Sequence, residues 1–170
     1  MCRGESHRAL FASRETLLMA LYDDIMADLQ SAILATIALG DQPLEEKIPL
    51  AVHVMIQHYL ADDRRARVGV LESVGVSAAM ERRRRGAIHD MARVLESYLN
   101  VLIARGELPA HDYHLLSVAL VGGINELLAE WLMVPTPPSI KHLSNEITRI
   151  LHALIRGSAL LPLSLAEPSA

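Results

Sequence analysis

The stretch that decides the fold is DYHLLSVALVGGINELLAEWLMV, Asp112–Val134, followed by the turn PTPPS, Pro135–Ser139. In the first of these segments, apolar side chains recur in steps of three and four, which places them on one face of a helix. That row is Leu116, Leu120, Ile124, Leu127 and Trp131, and a second row is Val118, Val121, Leu128 and Leu132. A helix with two apolar rows must be buried on two sides. One row serves the subunit's own core, and a second copy of the chain is the simplest partner for the other.

The segment after the turn, IKHLSNEITRILHALI, predicts a further helix over Ile140–Ile155 with a single apolar stripe. The stripe comprises Ile140, Leu143, Ile147, Ile150 with Leu151, and Leu154. Gly122 and Gly123 lie inside the preceding helix, where each glycine costs about 0.5–1 kcal/mol of helix stability relative to alanine. The pair therefore marks either the close approach of another helix, within the subunit or across a dimer interface, or a tolerated kink.

Composition indicates one all-α domain. A chain of 170 residues is long enough for a single sizeable core. Its residues are 51% hydrophobic and only 4% aromatic, which is typical of a helical bundle. The net charge of −4 argues against a chain that is basic throughout and binds nucleic acid along its whole surface.

The same composition predicts a soluble, cytoplasmic protein. Cys2 is the only cysteine, so internal disulfides and cysteine metal clusters are excluded, and a reducing compartment suits the chain. No apolar run approaches the roughly 18–20 residues of a membrane span, and the first residues lack the apolar core of a signal peptide.

Six helices are predicted along residues 14–158, with residues 1–13 and 159–170 outside the domain. The first helix begins at an N-cap, Ser13, and runs to about Leu39, where Gly40 and the residues after it stop it. The second covers residues 44–61 and contains Pro49, so it either starts near Ile48 or is kinked there.

Capping residues divide the middle of the chain. Asp62 and Asp63 cap a third helix that ends near Gly75, and Ser77 caps a long fourth helix that Gly106 terminates. The last helix is expected to end at residues 156–157, before a proline-broken tail.

Three groups of residues in this order resemble a known family. The first is FASRETLL at 11–18; the second is DRRAR at 63–67 with LESVG at 71–75 and ERRRR at 81–85; the third is VGGINELL at 121–128 with Trp131. Together they are similar to the tetracycline-repressor-like (TetR) transcriptional regulators, from Phe11 to the last helix. In that family the first group lies where the DNA-binding region meets a long helix, and the third belongs to the dimerisation helices.

The resemblance implies a transcriptional repressor whose helical regulatory domain forms a homodimer and binds a small hydrophobic effector. Only ten residues precede Phe11 here, too few for the family's helix-turn-helix. Residues 1–13 are therefore expected to be a remnant of the DNA-binding region that does not fold independently. A regulatory core is predicted, with the DNA-reading unit absent or truncated, and DNA is a partner only where that unit is present.

The resemblance also implies candidate site residues. An effector pocket enclosed by the second to fifth helices would be mostly apolar with a few polar groups. The ligand-binding candidates are Met55, His58, Tyr59, Leu71, His89, Met91, Leu95, Tyr98, Leu120, Ile124 and Asn125. The dimer-interface candidates are Leu116, Val121, Gly122, Gly123, Leu127, Leu128, Trp131, Leu143, Ile147, Ile150, Leu151 and Leu154. For each ligand-binding candidate the alternative is a core residue whose polar atom meets a protein partner or solvent.

Catalysis and metal binding find little support in the sequence. It contains no glycine-rich phosphate loop, no H-E-x-x-H, no G-x-S-x-G and no Glu-x-x-His, so neither an enzyme nor a cofactor is predicted. His111 and His114 have the i, i+3 spacing of metal ligands but no evident third ligand, so no metal is predicted. The run Arg82–Arg85 spreads around a helix, as expected of a solvated face or of ion pairs to neighbouring helices.

Two other classes of function are compatible with the same residues. One is a stand-alone dimerising protein that sequesters a ligand or a partner and does not bind DNA. The other is a helical-bundle enzyme, which the missing catalytic motifs disfavour.

Overall fold

Six α-helices and no strand make up the part of the chain that the computed structural model describes, which is residues 3–38 and 43–160. They are α1 (Arg3–Ala38), α2 (Leu44–Leu60), α3 (Asp63–Arg67), α4 (Ala78–Ala104), α5 (His114–Met133) and α6 (Ile140–Leu160). A single π-helical turn, Val68–Glu72, continues α3. The predicted all-α bundle is confirmed.

Local capping signals position the middle helices as the sequence indicates. Asp62 accepts hydrogen bonds from the backbone N–H groups of Arg64 and Arg65 at the start of α3, and Ser77 accepts one from Met80 at the start of α4. Both side chains satisfy donors that have no partner inside the helix. At the end of α4, Gly106 has a φ of +74°, a left-handed conformation that suits glycine and stops the helix.

The predicted ends of three helices are corrected. Ser13 is not an N-cap, because it lies inside α1, which begins at Arg3. Pro49 lies within α2, so the alternative start near Ile48 is wrong. Helix α6 continues past Gly157 to Leu160. Residues 39–42, where the first helix was expected to stop, and the tail from residue 161 lie outside the described residues.

The core lies where the long helices cross. Helix α1 packs on α2 and α4, α2 packs on α6, and α4 packs on α5. The centre of the cluster includes Ile56 and Leu99, which have no exposed surface, and Ile147 of α6, which is 1% exposed. Burial of such side chains contributes about 1.5–3 kcal/mol each, so these crossings determine the arrangement of the helices.

The stripe on α6 divides into two faces. Leu143, Ile147, Leu151 and Ile155 recur every four residues and are buried. Of the other predicted members, Ile140 is half-buried, while Ile150 and Leu154 point away from the core and are 41% and 46% exposed. One edge of the apolar stripe therefore remains uncovered in the single chain.

Helix α5 is more apolar than predicted. By length and composition it is the one helix among the described residues that could cross a membrane, so the prediction that no apolar run approaches that length is wrong. The core helix of a soluble protein passes the same test, and α5 buries Leu120, Leu128 and Ala129 in the bundle. A single helix of this kind is a weak membrane signal, and the fold is compatible with a soluble protein.

Ion pairs attach α1 to the elements beside it. Arg65 of α3 pairs with Asp28 at 2.7 Å and with Asp24 at 3.3 Å, and Arg83 of α4 pairs with Asp23 at 2.6 Å. All of these groups are at least one third exposed, so each pair contributes only about 0–1 kcal/mol to stability. These pairs help to align α1 with α3 and α4, but they contribute little to the stability of the bundle.

Candidate functional site

A cavity with a volume of about 660 Å³ lies between α1, α2, α4 and α5. We call it the main cavity. Its floor includes Tyr22, Leu29, Tyr59 and Leu128, all of which are buried. Its mouth is formed by exposed polar side chains, among them Asp23, Arg82, Arg83 and Asp90. An apolar floor under a polar rim is the usual construction of a small-molecule site.

A second, smaller cavity of about 90 Å³ lies deeper in the bundle and is here called the inner cavity. Apart from Lys47 and Tyr98, its lining is entirely aliphatic or methionine. Met55, Met91, Val121 and Ile124 line both cavities, so these four side chains form the wall between them. Methionine side chains are unbranched and adapt easily, which makes this wall deformable.

A third depression, the outer groove, runs between the C-terminal half of α1 and α4 and has a volume of about 530 Å³. Ile37, Lys47, Val94 and Tyr98 line both the outer groove and the inner cavity. The three spaces are therefore neighbours from the surface to the centre of the bundle.

Seven of the eleven predicted ligand-binding residues line these cavities. Met55, Tyr59, Met91, Ile124 and Asn125 line the main cavity, and Leu95 and Tyr98 line the inner one. The remaining four line none of the three spaces. Of these, His58 is exposed, Leu71 and His89 are half-buried, and Leu120 is buried in the core.

The predicted dimer residues are divided between the interior and the surface. Leu128, Leu143, Ile147 and Leu151 are buried within the chain itself. Leu116, Val121, Leu127 and Trp131 are half-buried, and Trp131 donates a hydrogen bond from Nε1 to the Pro138 carbonyl at 2.8 Å. Ile150, Leu154 and Gly123 are exposed, and Gly122 is half-buried.

The glycine pair has no close neighbour inside the subunit. A methyl group added at Gly122 or Gly123 would meet no atom of the described chain within 4 Å, apart from each glycine's chain neighbours and its own helix backbone. Close approach within the subunit is therefore not seen, and the surface at these positions is open.

Two parts of the site were not predicted from the sequence. The pocket was expected among the second to fifth helices, whereas α1 supplies Tyr22, Met26 and Gln30 to the main cavity. The available signal is that Tyr22, Met26 and Leu29 share one helical face. The second omission is Lys47, which is only 7% exposed and has no sequence feature that distinguishes it from a surface lysine.

Tyr22 and Tyr59 are two titratable groups on the floor of the main cavity. Burial raises the pKa of both phenols, because the charged phenolate is poorly solvated there. The nearby positive charge of Arg84 opposes this shift in both. Arg84 donates from Nη1 to Glu81 at 3.1 Å, while its buried Nε has no hydrogen-bond partner among the described residues. Both tyrosines therefore remain neutral well above physiological pH.

We expect the raised tyrosine pKa values to make the fold sensitive to alkali. In the unfolded chain a tyrosine ionises near its ordinary pKa of 10.0. Because the folded-state pKa lies above that value, the neutral phenol makes its full contribution to the free energy of unfolding below about pH 10. That contribution is lost as the pH rises further. Urea unfolding at pH 8 and pH 11, at one protein concentration, measures the loss. Tyr59→Phe should lose less stability between these two values than the wild type, and an equal loss in both would contradict the assignment.

The histidines near the start of α5 have protein partners. His114 Nδ1 lies 3.2 Å from Glu96 Oε2, and the His111 ring packs edge-on against Tyr113 with 5.3 Å between ring centres. No group of three histidine, cysteine, aspartate or glutamate side chains suited to a metal ion occurs within residues 3–38 and 43–160.

The arginine run has the ion pairs that its pattern indicates. Arg83 pairs with Asp23 of α1, and Arg84 pairs with Glu81 one turn away. Because Arg82 and Arg83 border the main cavity, the run also contributes charge to its mouth.

The chain matches no family model, no curated protein and no solved structure. Its class is therefore defined by its own architecture. It is an all-helical bundle with a large cavity between α1 and three other helices, and with an uncovered apolar edge on its last helix.

Proposed function

We propose that this chain is the regulatory core of a TetR-like transcriptional repressor, a cytoplasmic homodimer whose cavities bind a small hydrophobic effector. The observation that carries the proposal is the position of the main cavity, because α1 forms one of its walls through Tyr22, Met26 and Gln30. In a regulator of this kind α1 connects the effector domain to the DNA-reading unit. A ligand that binds one position of α1 better than another shifts the population of the two positions.

The chemistry of the cavities supports an apolar effector. The wall shared by the main and inner cavities is built from methionine, valine and isoleucine. Asn125 and Tyr59 are the predicted polar groups that line the main cavity, and they can fix the orientation of a bound molecule.

The outer faces of α5 and α6 support the homodimer. Only 28% of the most apolar stretch of α5 is buried inside the chain. Leu115 and Met133 of α5 are 78% and 58% exposed, and Ile150 and Leu154 of α6 are also uncovered. Exposed apolar residues on the last two helices are what a two-fold interface between copies of the chain would bury.

Fluorescence of N-phenyl-1-naphthylamine, a neutral apolar dye, tests the effector site. We expect the dye to bind the wild type and Ile124→Trp to weaken binding about tenfold or more, because the larger ring fills space that both cavities share. Ala104→Trp is the matched control, since Ala104 is exposed at the end of α4 and lines none of the three spaces. Equal binding by all three proteins would show that the dye does not occupy these cavities.

The stand-alone sequestering protein remains the second candidate. The same cavities and the same exposed apolar residues of α5 and α6 would serve that function, which requires no movement of α1. The nucleotide sequence upstream of the Met1 codon separates the two. An in-frame stretch that encodes a helix-turn-helix supports the repressor, and an in-frame stop codon supports the sequestering protein.

A further inference from the structure

Lys47 is a buried lysine at the junction of two of the cavities. Its side chain lines both the inner cavity and the outer groove, and the residue is 7% exposed. Among the described residues its Nζ has one hydrogen-bond partner, the Ile37 carbonyl oxygen, at 3.1 Å. That carbonyl belongs to the last turn of α1, where a cation is favoured by the helix dipole.

One carbonyl oxygen is an incomplete partner for a buried ammonium group. The group carries three N–H donors and a full positive charge, and burying a charge is costly unless it is paired with an opposite one. None of the ion pairs in the described part of the chain includes Lys47. An anion at this position would satisfy the remaining donors.

The outer groove connects Lys47 with the surface, and its lining includes Arg93 and Asp90, which pair with each other. On the other side of Lys47 the lining becomes aliphatic, with Ile33, Ile48 and Leu95 in the inner cavity. The buried ammonium group thus lies where a polar groove meets an apolar interior.

We propose that the effector of this protein is an anionic amphiphile, a straight-chain carboxylate whose head group binds Lys47 and whose chain occupies the inner cavity. This inference rests on the proposed effector site and specifies its ligand. Longer chains pass between Met55 and Met91, which separate the inner cavity from the main one. The carboxylate accepts hydrogen bonds from Nζ of a lysine that is only 7% exposed, and charge-assisted bonds are stronger in such a buried position than in water.

Calorimetric titration with dodecanoate and dodecanol, both below the concentration at which they aggregate, tests the proposal. The two probes share one chain and differ in the charge of the head group. The wild type should bind dodecanoate about 10- to 100-fold more tightly than dodecanol, as expected for a charge-assisted hydrogen bond. Lys47→Met should bind both probes with similar affinity, while Lys47→Arg should keep the preference for dodecanoate.

The chain provides a matched control, because Lys47 and Lys141 are its only lysines. Lys141 is exposed on α6 and lines none of the three spaces, so Lys141→Met should behave as the wild type. Equal affinity of the wild type for dodecanoate and dodecanol would contradict the recognition of an anionic head group. It would not contradict the proposal of an apolar effector site. Failure of both probes to bind would count against the proposed effector site itself.

Acetylation of the two lysines gives a test that requires no substitution at Lys47. Mass spectrometry of the unaltered protein follows the reaction of each lysine with N-hydroxysuccinimidyl acetate. Dodecanoate should slow the labelling of Lys47 at least threefold relative to that of Lys141, while dodecanol should slow it less. Equal labelling of Lys47 with and without dodecanoate would overturn the proposal even if Lys47→Met fails to fold.

Discussion

Ile150→Glu combined with Leu154→Glu is expected to convert the proposed dimer into a soluble, folded monomer. Both side chains lie on the uncovered edge of α6, at 41% and 46% exposure, so the substitutions leave the packing of the single chain nearly unchanged. In a dimer that covers these residues, the four introduced carboxylates would be buried without partners and would repel one another. Dissociation should be complete at micromolar concentration. Light scattering gives the mass, and circular dichroism tests whether the helices are retained.

Leu17→Glu is the matched control for this experiment. Leu17 is also an exposed apolar residue, at 70%, but it lies on α1. The control should remain a dimer. If the double variant also remains a dimer while it stays helical, the interface lies elsewhere, and the exposed apolar residues of α5 and α6 require another explanation. A wild type that is monomeric would contradict the homodimer directly.

The fold was predictable wherever a short stretch of sequence determines it. Asp62, Ser77 and Gly106 act on backbone groups within three or four residues of themselves, so their effects can be read without knowledge of the rest of the molecule. Ser13 shows the limit of that argument. It has the side chain of an N-cap, but helical residues extend before it to Arg3, and a cap is only required where a helix begins.

The faces of the helices were predictable only in part. On α6 the apolar residues Ile150 and Leu151 are adjacent, so periodicity alone does not decide which one faces the core. The contact with α2 decides it, since Leu151 is 6% exposed and Ile150 is 41% exposed. Which apolar residues of α6 are buried therefore depends on how the helices pack together, and the spacing of the residues in the sequence does not decide it.

The cavity lining depended even more on the assembled bundle. The sequence identified Met55, Met91 and Ile124 because they lie on inward faces of their helices, but the face that Tyr22 shares with Met26 on α1 does not show whether it lines a cavity or packs in the core. It also gave no reason to single out Lys47, whose burial depends on where α1 ends relative to α2. A residue's position along its helix can be read from local sequence, while an empty space is defined by several helices at once.

Gly69→Ala is expected to destabilise the protein, with a loss of about 1–3 kcal/mol from overpacking. A β-carbon at position 69 would lie 2.6 Å from the Oη of Tyr59 and 3.1 Å from its Cζ, much closer than van der Waals contact. Tyr59 is only 7% exposed and belongs to the core cluster, so a shift of its ring disturbs its other packing contacts. Urea unfolding at neutral pH measures the loss. Gly86→Ala is the matched control, because a β-carbon there meets nothing within 4 Å and alanine favours a helix.

The same contact connects the turn after α3 to the proposed effector site. Tyr59 lines the main cavity, so a ring displaced by the added β-carbon moves into the space that a ligand would use. Gly69→Ala should therefore weaken binding of N-phenyl-1-naphthylamine as well as lower stability, whereas Gly86→Ala should raise stability by about 0.5–1 kcal/mol. Tyr59→Phe removes the closest atom of the clash, so Gly69→Ala should cost less in that background. Equal losses in the tyrosine and phenylalanine backgrounds would show that the Tyr59 hydroxyl is not what excludes a side chain at position 69.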